Sequence, residues 1–371
     1  MLESLVKLAD FAAQEEASAW QPRLFNLASA ADKKTLGQLL DKGLVAYRHD
    51  TIAQQLEDFV KANAPSRQFA NPADMQKSID ALLGGQAMAE YGTWVYYPWS
   101  ARLVHVLPKA QFRRLRSDRN RYKITAKEQE RLQSKCIGIV GLSVGSSVAL
   151  TMVLESIGGA FRLADFDALS LSNLNRLRAG VQDLGTNKAV LAARQMFELD
   201  PYLDIQIFTQ GISDDNVEAF FDQGGPLDLL IEESDDLWAK VRLREVARAC
   251  RVPVLMDTSD RGLVDIERFD LEPERPLFHG LAAMPLAGSL KGLSFPEKVA
   301  FLFKIFDPSQ LSAGIRASLP EIKKTIEAWP QLGSAVTLGG GIATDVARRM
   351  LLGTLTCSGR FYVDLETLVR D

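Results

Sequence analysis

From residue 136 onward, short apolar runs alternate with stretches of helical period. The runs are "CIGIV", "FRLA", "IQIF", "LDLLI" and "VPVLM". Apolar runs of this length fit buried strands, and their alternation with helical segments predicts a mainly parallel sheet with helices on both faces. The segment "TNKAVLAARQMFELDP" is a bounded helix, opening near Thr186 and closing at Asp200 and Pro201. After about residue 282 the pattern predicts helix in "FPEKVAFLFKIF" and "PEIKKTIEAWP", then "QLGSAVTLGGGIATDVARRMLL" and a strand-like "RFYVDLETL". Upstream, "TIAQQLEDFVKANAP" and "PADMQKSIDALLGG" have helical spacing, the latter starting at Pro72 and stopping at Gly84 and Gly85. The aromatic and β-branched "TWVYYPWSARLVHVL" favours one or two strands, and "QFRRLRSDRNRYKITAKEQERLQ" reads as a charged linker running into a polar helix. The expected division is a mainly helical N-terminal region with a strand-rich end (1–110), then an α/β domain (111–371). That domain is expected to be a Rossmann-like, doubly wound, mainly parallel sheet with flanking helices.

Composition narrows the function classes. The chain has 371 residues, and a hydrophobic share of 47% is enough for substantial cores. Its 43 basic and 47 acidic residues leave a net charge of −4, which argues against a nucleic-acid binder and a polybasic membrane anchor. Cys136, Cys250 and Cys357 are widely spaced, so neither a disulfide framework nor a cysteine zinc site is indicated and a reducing, cytoplasmic setting is expected. The opening "MLESLVKLADFAAQEE" carries acids through its apolar positions, unlike an export signal, and no later run approaches a membrane span.

Candidate chemistry begins at "GLSVGSS", where Gly141 and Gly145 allow a tight turn and close approach of backbone N–H groups to phosphate at a helix N-terminus. The spacing is not G-x-G-x-x-G, and such turns also serve packing alone. The next strand ends in "LADFDALSLSNLNR", placing Asp165, with Asp167 second, where an acid can bond ribose hydroxyls. To this point a dinucleotide-dependent oxidoreductase explains the residues as well as an ATP enzyme does. Asn173 and Arg176, three apart, and Lys188 in the first turn of the next helix would make a triphosphate clamp that a dinucleotide does not need. The bland reading is that the two cations are ordinary exposed charges. Farther on, "IEESDD" puts acids at the end of a strand, where Asp235 suits Mg²⁺ or, alternatively, simply complements a helix dipole.

The ordered set "GLSVGSS", "DFDALSLSNLNR", "GTNKA", "ESDD" and "WPQLGSAVTLGGGIA" resembles the ThiF/MoeB and ubiquitin-activating family of adenylyltransferases, over about residues 112–275 and 329–365. The resemblance implies ATP and Mg²⁺ used to adenylate a carboxylate: the C-terminus of a ubiquitin-like protein, a peptide, or a small carboxylate. It implies that Gly141, Ser143 and Gly145 form the phosphate turn, that Asp165 holds the ribose, that Asn173, Arg176 and Lys188 hold phosphates, and that Asp235 holds Mg²⁺. It also implies a homodimer in which Arg121, or Arg119, reaches the partner's ATP. Two departures stand out: the turn is one residue shorter than usual with Ser143 for a glycine, and no cysteine lies between Arg261 and Ala335, where the thioester nucleophile is expected. Cys136 and Cys250 read as core thiols, while Cys357 is open to either reading. His49, His105 and His279 read as structural or exposed. The expectation is an enzyme that stops at the acyl-adenylate or passes it to a small acceptor. The rivals are an NAD(P)- or flavin-dependent oxidoreductase and a non-catalytic nucleotide-binding dimerisation scaffold.

Overall fold

The computed structural model describes residues 19–69, 71–281, 287–290 and 292–369. The sequence reading of the first sixteen residues lies outside them. Two compact units emerge: one of the described residues up to Ala126 together with Phe197–Tyr202, the other of Lys127–Met196 and the described residues from Leu203 onward.

The first unit holds β1 (Arg23–Phe25), α1 (Ala30–Asp41), β2 (Tyr47–Asp50), α2 (Ile52–Asn63), α3 (Pro72–Leu83), β3 (Thr93–Tyr97), β4 (Arg102–Val106) and α4 (Lys109–Arg116). Its sheet runs β1-β3-β4-β2, with only β2–β4 parallel. The helical reading of this region missed β1 and β2, because strands of three and four residues are too short to show an alternation of period two. The "linker" likewise contains α4. Helix α3 starts as expected, with Asn71 Oδ1 accepting from Asp74 N and Pro72 in the first turn, and stops at Gly84 with φ 56°. His105 is a core residue: it stacks on Trp94 at 4.2 Å and places its ring nitrogens against Asp50 Oδ1 and Tyr91 O.

The second unit is built on a seven-stranded sheet in the order β11-β10-β9-β8-β5-β6-β7. The strands are β5 (Cys136–Val140), β6 (Ala160–Ala164), β7 (Asp204–Phe208), β8 (Leu229–Glu232), β9 (Val254–Thr258), β10 (Leu263–Glu267) and β11 (Gly359–Tyr362). The first five pair in parallel, while β10 adds antiparallel to β9 and β11 antiparallel to β10. This is the doubly wound α/β architecture expected, with the strand order reversing at β5. Its α-helices longer than four residues, among the described residues, are α5 (Ala126–Gln133), α6 (Gly145–Leu154), α7 (Lys188–Leu199), α8 (Val217–Asp222), α9 (Leu237–Cys250), α10 (Phe295–Ile305), α11 (Ala313–Ser318) and α12 (Gly333–Leu352).

On one face α12 packs closely on α6, where a Cβ at Gly340 would meet Ser147 Oγ at 2.3 Å. The other face carries α9 and the core of Phe220, Leu243, Val246 and Phe278. Two expectations fail here. "PEIKKTIEAWP" is not a helix beyond Glu321: it folds into turns in which Lys323 has φ 63° and donates its N–H to Ile326 O. Cys250 is exposed, not a core thiol, because it ends α9 on the outward side of the last turn; Cys136 is half-buried. No helix among the described residues is long and apolar enough to cross a membrane.

Candidate functional site

Open α/β sheets bind ligands beyond the C-terminal ends of their strands where the order reverses. Here that place is bounded by the segments after β5, β6 and β8. Gly141 follows β5 with φ 85°, and a Cβ there would stand 2.5 Å from the Glu233 backbone, so the turn and the β8 exit touch only because this residue is glycine. Gly145 opens α6, whose cap, Val144, offers no side-chain acceptor to the first N–H groups.

Asp165, buried at the end of β6, accepts from Leu142 N at 2.7 Å and from Asp167 N at 2.8 Å. Burial pushes its carboxyl up, and these two bonds pull it partly back. Asp167 receives Lys188 Nζ at 2.8 Å, while its carbonyl accepts from Lys188 N. The first turn of α7 is thus tied to the acidic loop, and Asn187, which the sequence reading passed over, caps it while donating Nδ2 to Asp165 O.

The expected clamp is only partly assembled. Arg176 reaches the glycine turn, donating Nη2 to Ser143 Oγ at 3.2 Å, while its Nε is buried without a partner. Burial lowers its pKa and nearby Asp235 works against that shift. Asn173 does not share this face: its Oδ1 turns back to accept from Ser170 N, because the segment is a short 3-10 helix and Arg176 leaves it with extended φ. Lys188 points its charge at Asp167. Asp235 is exposed and bordered by Asp236, which caps α9 by accepting from Ala239 N. Arg121, in the first unit, pairs with Asp118 at 3.3 Å.

A cavity of about 210 Å³ opens beside Asp235, beyond the ends of β8 and β9. Phe303, Phe306, Trp329 and Tyr362 supply apolar wall, and Glu233 and Asp257 supply acid. Asp257 is 3% exposed and neither carboxyl oxygen has a partner. Burial pushes it up to about 8, and desolvation together with Asp257 pushes Glu233 well above the usual carboxylate range. Sequence reasoning missed both residues. The available signal was the one used for Asp165, an acid ending an apolar strand in "VPVLMD".

Residues 117–283 match the model of the ThiF family. An uncharacterised protein of Mycobacterium tuberculosis is 47% identical over 279 residues, covering 75% of this chain and 39% of that protein. Ubiquitin-like modifier-activating enzyme 5 of Culex quinquefasciatus is 28% identical over 128 residues, 32% of each chain. The chain therefore spans less than half the length of either relative. A crystal structure of E. coli tRNA N6-threonylcarbamoyladenosine dehydratase in complex with ATP superposes over 67% of this chain and 98% of that one, at 18% identity and a TM-score of 0.47. The match to the ThiF family model spans somewhat less than half of the chain and falls mostly within the seven-stranded unit.

Proposed function

We propose that the domain is an ATP-dependent adenylyltransferase that activates a carboxylate as its acyl-adenylate. Arg176 carries the reading: its guanidinium lies on Ser143 of the glycine turn with a buried, unmatched Nε, a donor that a phosphate oxygen would satisfy. The uncapped start of α6 and the left-handed Gly141 fit the same anion. Gly141, Ser143 and Gly145 then cradle phosphate, Asp165 and Asp167 face the ribose, and Arg176 and Lys188 bear on the phosphate charge, with Asn173 bracing their loop. Asp235 is a single exposed carboxylate, and no group of three or more potential ligands occurs among the described residues, so Mg²⁺ fits there only with phosphate oxygens completing its shell. When bound, the ion would neutralise phosphate charge.

In the reaction a carboxylate oxygen forms a bond to the α-phosphorus as the bond to the bridging oxygen breaks and pyrophosphate leaves. Both reactants are anionic, so the chain's contribution is position and positive charge, from Arg176 and Lys188, and no protein nucleophile is needed. The carboxylate is the C-terminus of a ubiquitin-like protein or peptide, or a small carboxylic acid; the name of the Culex relative supports the first of these. By the same reading the active form is a homodimer in which Arg121 serves the partner's site.

The test is titration with MgATP in a calorimeter. Arg176→Ala and Lys188→Ala should each weaken binding by about 1.5–3 kcal/mol, the range for hydrogen bonds to charged groups. Unchanged affinity in both would overturn the reading. Exchange of labelled pyrophosphate into ATP, dependent on an added carboxylate, would report the chemistry.

A further inference from the structure

The cavity beside Asp235 has its floor on the face of the sheet turned away from α12. Strand pairing sets Met256 and Arg360 on either side of Asp265, and Thr258 and Tyr362 on either side of Leu263, so these side chains share one face. Met256, Thr258, Leu263, Arg360 and Tyr362 all line the space. Asp257 projects to the other face, where its Oδ2 would lie 1.9 Å from a Cβ on Gly339 of α12. Phe303 and Phe306 at the end of α10, Ile315 of α11 and Trp329 add an apolar wall. That wall is fastened at two places. Asp260 accepts from Ser312 N at 3.0 Å and Arg261 donates Nη1 to Gln310 O at 2.8 Å, while Gln331 O accepts from Asn175 Nδ2 at 2.8 Å. Asn175 in turn accepts from Arg176 Nη1 at 2.9 Å, and Val144, which follows the Ser143 that Arg176 reaches, lines the same space. The cavity therefore adjoins the glycine turn.

Charge and chemistry along the lining decide what fits. Lys240 already holds Glu232 at 3.1 Å and Arg360 already holds Asp265 at 2.6 Å, while Asp307 accepts from Ser309 N at 2.9 Å. Arg176, by contrast, donates to the neutral side-chain oxygens of Ser143 and Asn175, so its charge is available to an incoming anion. An anionic end thus belongs at the turn and an apolar body against the aromatic walls. A peptide tail suits these walls poorly: each of its residues brings an N–H and a C=O that phenylalanine and tryptophan rings leave unpaired, and a Gly-Gly end has no side chain to fill the space. At about 210 Å³ the cavity is below the range of drug-sized pockets, roughly 300–1,000 Å³, and suits one small molecule.

We propose that this cavity is the acceptor pocket of the adenylation site and takes a small apolar monocarboxylic acid, aryl or branched alkyl, with its body against Phe303, Phe306, Trp329 and Tyr362 and its carboxylate at the glycine turn. The proposal rests on the ATP reading and narrows it. An oxygen of the acid bonds to the α-phosphorus as the bond to the bridging oxygen breaks and pyrophosphate leaves, and the product is the acyl-adenylate of a small acid, not of a ubiquitin-like tail. The four aromatic residues set specificity by shape and take no part in the exchange of bonds.

The experiment measures exchange of labelled pyrophosphate into ATP by the full chain, beside calorimetric titration with MgATP. At equal concentration, 3-phenylpropanoate, indole-3-acetate and 4-methylpentanoate are compared with acetate and with a synthetic peptide ending in Gly-Gly. At least one of the three apolar acids should drive exchange at least tenfold faster than acetate and than the peptide. The same acid, added with MgATP, should change the tryptophan emission of the protein, and Trp329→Phe should lose that change. Ile315→Trp, which fills the cavity, should abolish the preference for that acid over acetate and leave the affinity for MgATP unaltered. If the peptide drives exchange as well as the apolar acids do, or if no apolar acid exceeds acetate, the pocket assignment is overturned, while the adenylation reading stands as long as MgATP binds. Absence of MgATP binding overturns that reading and this proposal with it. The ligand series decides the matter even if Ile315→Trp fails to fold.

Discussion

Along β8, β9 and β10, the carboxylates on the α9 face of the sheet are matched with cations, whereas those on the α12 face are not. On the α9 face Arg244, fully buried, donates to Glu232 at 2.6 Å and to Glu267 at 2.5 Å. Lys240 adds a second cation to Glu232, and Asp265 holds His279 at 2.8 Å and Arg360 at 2.6 Å. Burial alone would push Glu232 up, but Lys240 and Arg244 more than offset it and the carboxyl sits below its usual range; Asp265 is likewise held down by His279 and Arg360 against its burial. One residue on, Glu233 turns to the other side and meets Asp257, another acid, and both rise. Strand geometry makes the division: successive side chains face opposite ways, and the pairing of Met256 with Asp265 and of Asp257 with Val264 sorts the acids between faces. A matched buried network is self-sufficient and structural, whereas an unmatched pair beside a cavity is maintained at a cost and is a candidate for function.

The largest way to break this contrast is Arg244→Met, which keeps bulk and removes charge. Glu232 and Glu267 would then be buried with too little positive charge, at a cost of about 3–5 kcal/mol in chemical denaturation. Restoring most of that loss in the triple variant R244M/E232Q/E267Q would show that the penalty is stranded charge, not lost packing. A loss no larger than a surface substitution would remove the network from the structural role given it here.

Next in size is pH. Held below its usual range, Glu232 contributes stability that is present above the ordinary carboxylate range and lost on acidification. For Asp257 the sign is opposite: between about pH 4 and 8 the unfolded chain has released a proton that the folded chain keeps, so stability is present at the acid end and falls as pH rises to about 8. The slope from one such group is at most about 1.4 kcal/mol per pH unit. Asp257→Asn should remove it, so that urea midpoints of the variant gain on the wild type steadily from pH 5 to pH 8. Parallel curves would mean that Asp257 is ionised in the folded protein.

Gly339→Ala comes third. Replacing a helix-interior glycine with alanine ordinarily stabilises by about 0.5–1 kcal/mol. Here the new Cβ would lie 1.9 Å from Asp257 Oδ2, and forced movement of a buried side chain costs about 1–3 kcal/mol, so the net change should be destabilising. In an Asp257→Ala background the sign should reverse. A double-mutant cycle without coupling would refute the contact.

The contrast also explains what the sequence could and could not reveal. The strands β5, β6, β8 and β9 are legible because a strand buried on both faces is a near-continuous apolar run, and α7 because Pro201 bounds it. Gly141, Asp165 and Lys188 were placed at the ends of those elements, which is where they lie. What escaped depends on neighbours distant in sequence. That Glu233 and Asp257 oppose each other follows from strand order and face, neither of which is written in "EESDD" or "VLMDT". Asn173 was expected beside Arg176 on a helical turn, but short polar side chains at a helix start prefer their own backbone, and Ser170 N captured it.

The smallest effect should come from the pair between these extremes. Lys188 is 7% exposed at its side chain, but its partner Asp167 is 54% exposed. Removing the cation in Lys188→Ala leaves an acid that water can solvate, so no stranded buried charge results. The backbone bond from residue 188 to Asp167 O and the Asn187 cap both survive the change. The loss of stability should therefore be about 1 kcal/mol or less, in the range of partly exposed ion pairs. Denaturation of the variant beside Arg244→Met checks the ordering directly. A loss for Lys188→Ala as large as that for Arg244→Met would mean that solvent does not reach Asp167, and that the exposed and buried ends of this sheet are not electrostatically distinct.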